Sequence, residues 1–176
     1  MNRRIKQCTT QSFSFKDNGQ FPNSIYPVLL YKNVLDIPFF RPVSYVETLF
    51  KQNNWYNFWQ DGVYEYNHYH SNTHEVLGVY KGKTTLLLGG EGGLEVEIEK
   101  GDVLLLPAGV AHQNLYSEKQ VKCVGAYPNG IKCDMKYGKT PERPLADENI
   151  KKVSTSVKDP VFGSLRGISE YWNHLN

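Results

Sequence analysis

The stretch GVYEYNHYHSNTHEVLGVYKG, residues 62–82, sets His68, His70, His74 and Glu75 between Gly62 and Gly82. His68 and His70 stand two apart in a segment that reads as a strand. Residues i and i+2 of a strand project from one face, so both imidazoles point the same way. Ser71 to Thr73 makes a turn, and His74-Glu75 then enters the next strand. A carboxylate at Glu75 comes within cross-strand reach of the two imidazoles. His74 faces the other side of that strand and is expected around the ligands or at the surface, not among them.

From Gly62 to about Tyr127, runs rich in Val, Leu and Tyr are punctuated by SNT, KGK, GGEGG, EKGD and SEKQ. Short strands with closely spaced turn signals predict a sandwich or barrel. LEVEIE alternates, with Leu94, Val96 and Ile98 facing in and Glu95, Glu97 and Glu99 facing water. Apolar periodicity of helical length is absent between the strands, so βαβ units are not expected. A β-barrel or jelly roll is the economical reading. GDVLLLPAGVAHQNLY, residues 101–116, adds a fourth candidate ligand. Pro107 and Gly109 end an apolar run and turn the chain, so that His112 begins another strand. Three imidazoles and one carboxylate on neighbouring strands suit Fe, Mn, Co, Ni, Cu or Zn rather than Mg or Ca. An HxH pair alone is weak support for a metal; the whole spacing carries the case.

That spacing resembles the cupin superfamily. Gly62, five residues, His68, one, His70, four, Glu75, six, Gly82 is similar to the first cupin motif at every defining position. Gly101, five residues, Pro107, one, Gly109, two, His112 resembles the second. Tyr116 stands where the second motif expects Asn, with Asn114 two residues earlier. The resemblance implies an all-β double-stranded β-helix, or jelly-roll barrel, with one metal held by His68, His70, Glu75 and His112. The chain also resembles single-domain bacterial cupins of uncharacterised function, through HYHSNTHEVLGVYKG, LPAGVAHQ, GAYPNG and DPVFG. That narrower likeness brings no assigned reaction.

The flanks read as parts of one domain of 176 residues. Residues 1–60 form an arm and helix packed on a barrel core at 61–128, and residues 129–176 wrap back over it. In the arm, SIYPVLLYKN offers an apolar run for a sheet edge, with Pro27 at its start. Ser44 and Glu47 have capping-box spacing, with Val46, Leu49 and Phe50 on one helical face. The segment 128–160, with Pro128, Pro141, Pro144 and Pro160, is expected to hold little regular structure. PVFGSLRGISEYWNHL should end in a short helix near Trp172.

Strand parity nominates Tyr64, Tyr66, Asn114 and Cys123 as residues that touch a ligand. Tyr64 or Tyr66 would supply a proton and Asn114 would orient the substrate. The plainer expectation for these residues is barrel core, since small barrels fill their interiors. Asp134 and Tyr137 read as an exposed loop. Twenty basic and eighteen acidic side chains give no field predicting nucleic-acid or membrane binding. Three cysteines without CxxC spacing make no disulfide framework, and no apolar region follows the basic start, so a cytoplasmic protein is expected. Open barrel edges would suit a homodimer.

Three functions fit these features. One is a metal-dependent enzyme on a small molecule, of dioxygenase, isomerase or decarboxylase type, with Fe or Mn favoured and Zn, Ni, Co or Cu as alternatives. Another is a non-catalytic barrel that binds a metal or small ligand. The last is a metal-free acid–base barrel, which four intact ligand positions argue against. No segment beside the barrel has room for a helix-turn-helix.

Overall fold

The computed structural model describes residues 5–117, 119–155 and 157–172. Eight strands lie among these residues: β1 (Thr9–Phe15), β2 (Ser24–Lys32), β3 (Trp55–Asp61), β4 (Glu75–Leu88), β5 (Leu94–Glu99), β6 (Val103–Leu106), β7 (His112–Asn114) and β8 (Val121–Pro128). Three α-helices accompany them: α1 (Pro42–Gln52), α2 (Leu145–Lys152) and α3 (Ile168–Tyr171).

β4 organises both layers. Its first half pairs with β6 and β8 in the order β1-β2-β6-β4-β8-β3, and its second half, from Lys83, pairs with β5 and β7. All these pairings are antiparallel. The register to β8 shifts between Val79 and Lys81, and Gly82 follows at φ 75°. A Cβ on Gly82 would stand 1.9 Å from the carbonyl oxygen of Gln120. Bulge and glycine together bend one strand out of the first sheet into the second. This is the expected jelly-roll body.

Two apolar layers cover the larger sheet. Leu30, Leu77, Val79, Leu86, Ile98 and Leu104 belong to the interior between the sheets. On the outer face, Val76, Leu105 and Val124 meet Val46, Leu49 and Phe50 of α1 and Ile168 and Trp172 of the C-terminal segment. A sheet buried on both faces needs apolar residues at successive positions. That explains why β6 reads VLLL with no polar alternation and is buried throughout.

Several expectations are corrected. The SIYPVLLYKN run is not an edge: β2 lies between β1 and β6, which leaves β1 outermost. Pro27 stands inside β2, beyond the residues that pair with β6 and opposite the register break between Phe13 and Phe15. There its missing N–H costs no ladder bond. The capping box does not form, because α1 begins at Pro42 with Arg41 as N-cap and Ser44 already inside the helix. Proline at the first helical positions lacks only an N–H that had no partner there. Leu94 is 44% exposed at the start of β5, whereas Val96 and Ile98 are buried as expected. The proline-containing segment is more regular than expected, with a 3₁₀ turn at Thr140–Glu142 and then α2. α3 ends at Tyr171 with Trp172 as its C-cap, near where the sequence places it. None of the described helices is long and apolar enough to cross a membrane.

Candidate metal centre

His68 and His70 lie on an extended segment rather than in a strand. Its β-bridges among the described residues are isolated ones, His68 to His112 and Tyr69 to Lys136. The segment runs beside β7: His68 and His112 exchange both backbone bonds, Gly109 N–H donates to His70 C=O, and Asn114 N–H donates to Tyr64 C=O. The same-side projection of His68 and His70 survives without the ladder. Glu75 opens β4 and His112 opens β7. The candidate ligand atoms of His68, His70 and His112 fall within 4.8 Å of one another, and all three residues are buried.

The ring tautomers follow from hydrogen bonds to the backbone. Nδ1 of His68, His70 and His112 faces the carbonyl oxygens of Tyr66 (3.1 Å), Asp134 (2.5 Å) and Val110 (3.2 Å). A carbonyl only accepts, so each Nδ1 carries hydrogen, and in the neutral ring the lone pair for the centre is on Nε2. Glu75 Oε2 lies 3.2 Å from His70 Nε2 and 3.3 Å from His112 Nε2. Its other oxygen is held from behind by Tyr127 O–H (2.9 Å) and Trp59 Nε1–H (3.2 Å).

Lone pairs facing a carboxylate oxygen at this range repel unless a proton or cation lies between them. One proton answers in part. Burial pulls the His70 imidazole down, but Glu75 and Cys133 outweigh it and hold His70 well above the ordinary value. Glu75, despite burial, is held well below the carboxylate range by His70 and His112. His68 is pushed down to about 3 by burial and by His112, so it stays neutral with its lone pair free for a cation. A proton on His70 therefore serves one ring of three. A divalent cation would engage all three rings and the carboxylate, so this donor set fits a transition metal.

A cavity of about 420 Å³ opens over the cluster, walled by Trp59, Tyr64, Leu77, Tyr127, Cys133 and Met135 beside the four candidate ligands. Tyr64 is half exposed and lies edge-on to His68, with ring centroids 5.4 Å apart. Tyr66 lies behind Tyr64 in a stacked pair (4.9 Å) and does not line the cavity. Asn114 is buried, and its Oδ1 accepts from Thr84 Oγ1 (2.5 Å) and Tyr116 N–H (3.1 Å). Cys123 lies in the apolar interior, where burial, then Glu75, pushes its thiol up to about 12. His74 faces away from the cluster. Its Nδ1 accepts from Ala108 N–H (2.9 Å) and its Nε2 donates to the Ser154 carbonyl (3.2 Å).

The exposed-loop reading of Asp134 is overturned. Its carboxylate accepts from Ser71 N–H (2.7 Å) and Ser71 Oγ (2.6 Å), and its own carbonyl orients His70. Asn72 adds two further bonds to this segment, at Asp134 N–H and Lys132 C=O. Residues 131–137 thus form a strap that fixes His70 and carries Cys133 and Met135 into the cavity wall. The Cys133 thiol is lowered, because His70 and Tyr127 outweigh the effect of its burial.

Trp59, Tyr127, Cys133 and Met135 escaped the sequence reading. Tyr127 was within reach of it: the i, i+2 rule that turns Cys123 inward also turns Tyr127 inward. Trp59 gave no signal, because its place depends on how β3 pairs with β8. Its indole lies over Gly125, where a Cβ would come within 2.0 Å of the ring.

The profile of the Cupin domain family matches residues 55–124. An uncharacterized protein, YjlB, of Bacillus subtilis (strain 168) is 37% identical over 164 residues, covering 93% of this chain and 96% of its own. Among solved structures, acireductone dioxygenase from Bacillus anthracis, with a cadmium ion in its active centre, has a TM-score of 0.37 at 17% identity. That similarity covers 48% of this chain and 58% of the dioxygenase. A duf861 family protein from Thermotoga maritima has a TM-score of 0.32 at 23% identity, covering 51% of this chain and 92% of that one. At such TM-scores neither neighbour bears on the chemistry of the site.

Proposed function

On the premise that this chain belongs to the cupin family, we propose that it binds one divalent transition metal through His68, His70, Glu75 and His112. We further propose that it acts there on a small molecule. The observation that carries this reading is the set of three buried imidazoles with Nδ1 tied to backbone carbonyls and ligand atoms within 4.8 Å of one another, two of which, His70 and His112, place Nε2 against the Glu75 carboxylate. Fe or Mn stands first, with Zn, Ni, Co and Cu as further occupants of the same donors.

A bound ion would supply Lewis-acid polarisation, or with Fe or Mn a redox couple, to a ligand in the cavity. The surrounding side chains prepare the site. The three backbone carbonyls fix ring orientation and tautomer, the role such outer partners play around metal-ligating histidines. Tyr127 and Trp59 hold the back of Glu75, leaving its Oε2 forward. Burial and then Glu75 raise the Tyr127 hydroxyl, so it keeps its proton and acts as a fixed donor. Tyr64, on the cavity wall beside His68, is the side chain we assign to ligand contact and proton supply. Tyr66 braces Tyr64 by stacking, and Asn114 ties β7 to β4 through Thr84.

The test is elemental analysis of untagged protein purified without chelator, beside His70→Ala and His112→Ala. About one metal per chain in the parent and a sharp loss in both variants is the expected result. Equal metal content in parent and variants would remove the ligand assignment. No metal even after reconstitution would remove the reading altogether.

A further inference from the structure

The walls of the cavity constrain what enters it. Among the described residues, no lysine or arginine side chain lines it. The cation beside its rim, Lys122, pairs with Asp61 at 2.8 Å. Val63, Leu77 and Met135 supply aliphatic or thioether surface, and Trp59 and Tyr64 supply aromatic surface. A volume of about 420 Å³ is in the range of small-molecule sites.

Charge then sets the ligand class, a step that rests on the metal reading above. A divalent ion, one carboxylate and three neutral imidazoles leave at most a single net positive charge in a buried site, and the lowered Cys133 thiol on the same wall can only reduce it. One anionic donor neutralises it. A second anionic group would find no lysine or arginine on the walls, which instead carry the Asp61 carboxylate and the Cys133 thiol beside the apolar surface, and burying an unpaired charge is strongly unfavourable. We infer that the site takes a small monoanion: one oxygen or sulfur donor on an apolar body that lies against the Trp59, Tyr64, Leu77 and Met135 wall. Phosphorylated compounds, sugar phosphates and dicarboxylates are excluded from this class.

The test uses Co(II)-loaded protein, whose visible absorption changes when a ligand enters the ion's coordination sphere. Acetate, hexanoate, adipate and inorganic phosphate are titrated separately. Hexanoate should bind at least about tenfold more tightly than adipate, which has the same chain length and a second carboxylate. It should also bind more tightly than acetate, which lacks the apolar body, and than phosphate. Met135→Lys, or Gln60→Lys at the exposed rim, adds a cation to the wall and should narrow the gap between hexanoate and adipate. Adipate or phosphate binding as tightly as hexanoate would overturn the ligand class, and so would a gap that both lysine variants leave unchanged. Those results would leave the metal reading intact. Absence of any Co(II) spectrum would overturn the metal reading and this inference with it.

Discussion

Each imidazole of the cluster is fixed by a backbone carbonyl, and the carbonyl that serves His70 belongs to a residue 64 positions away. Asp134 therefore matters through Ser71 and the strap. Its carboxylate takes both the N–H and the hydroxyl of Ser71, next to His70. Asp134→Ala is expected to weaken metal affinity about 10–100-fold, the scale for lost outer partners of a metal site. Competition with a chromophoric chelator measures it, and unchanged affinity would return Asp134 to a surface role. Protons compete with the metal at His70, which Glu75 and Cys133 hold protonated above the usual histidine range. Metal affinity should therefore fall as pH falls, because binding must release that proton. Equilibrium dialysis at about pH 8 and about pH 5.5 would check the sign, with equal occupancy counting against the assignment. The ligand residues were legible in sequence because their spacing is local. Their anchors were not, because they arrive from other segments.

Among the elements, β3 and β8 form the back wall of the site. β3 brings Trp59 over Gly125 of β8, and the indole N–H reaches Glu75 and Tyr127. Gly125→Ala would push a methyl group into the ring. The expected cost is about 1–3 kcal/mol, the usual range for overpacking, with weaker metal binding because Glu75 loses a donor. Denaturant melts and metal titrations on one variant separate the two effects. A stable variant with normal affinity would show that Trp59 does not position Glu75. The amphipathic face of α1 was readable, since Val46, Leu49 and Phe50 recur at helical spacing and are buried. Its start was misplaced because Pro42, with no N–H to give, is as good an opening as a capping serine.

Across the whole molecule, the C-terminal segment is a structural strap behind the metal cluster. Trp172 Nε1–H donates to the Pro27 carbonyl (2.9 Å), and its ring lies 4.8 Å from that of His74. Trp172→Ala should cost about 3–5 kcal/mol, as for a large buried aromatic, while leaving the ligands in place. A loss below about 1 kcal/mol in a denaturant melt would mean the segment docks without it. His74 joins the same contact, linking Ala108 N–H to the Ser154 carbonyl. Burial pulls its folded-state pKa down to about 4, against an unfolded value near 6.5. The unfolded chain then binds the proton first. His74 thus contributes stability above about pH 6.5 that is lost as pH falls toward 4, by at most about 3 kcal/mol. His74→Asn should lose that part of the acid sensitivity, and the cluster's own titrations cancel because both proteins share them. Identical acid profiles would show that His74 carries no such load. By itself the sequence determined the jelly-roll body, the inward histidines, the glutamate opposite them and the outward turn of His74. Those follow from spacing and strand parity, which are properties of a few consecutive residues. Only the tertiary structure decided that Trp59 and Tyr127 hold Glu75 and that Asp134 anchors the His70 segment. The same holds for the cation-free wall completed by Cys133 and Met135. Each depends on which distant segments meet, and that is set by burying both faces of one sheet rather than by any local pattern.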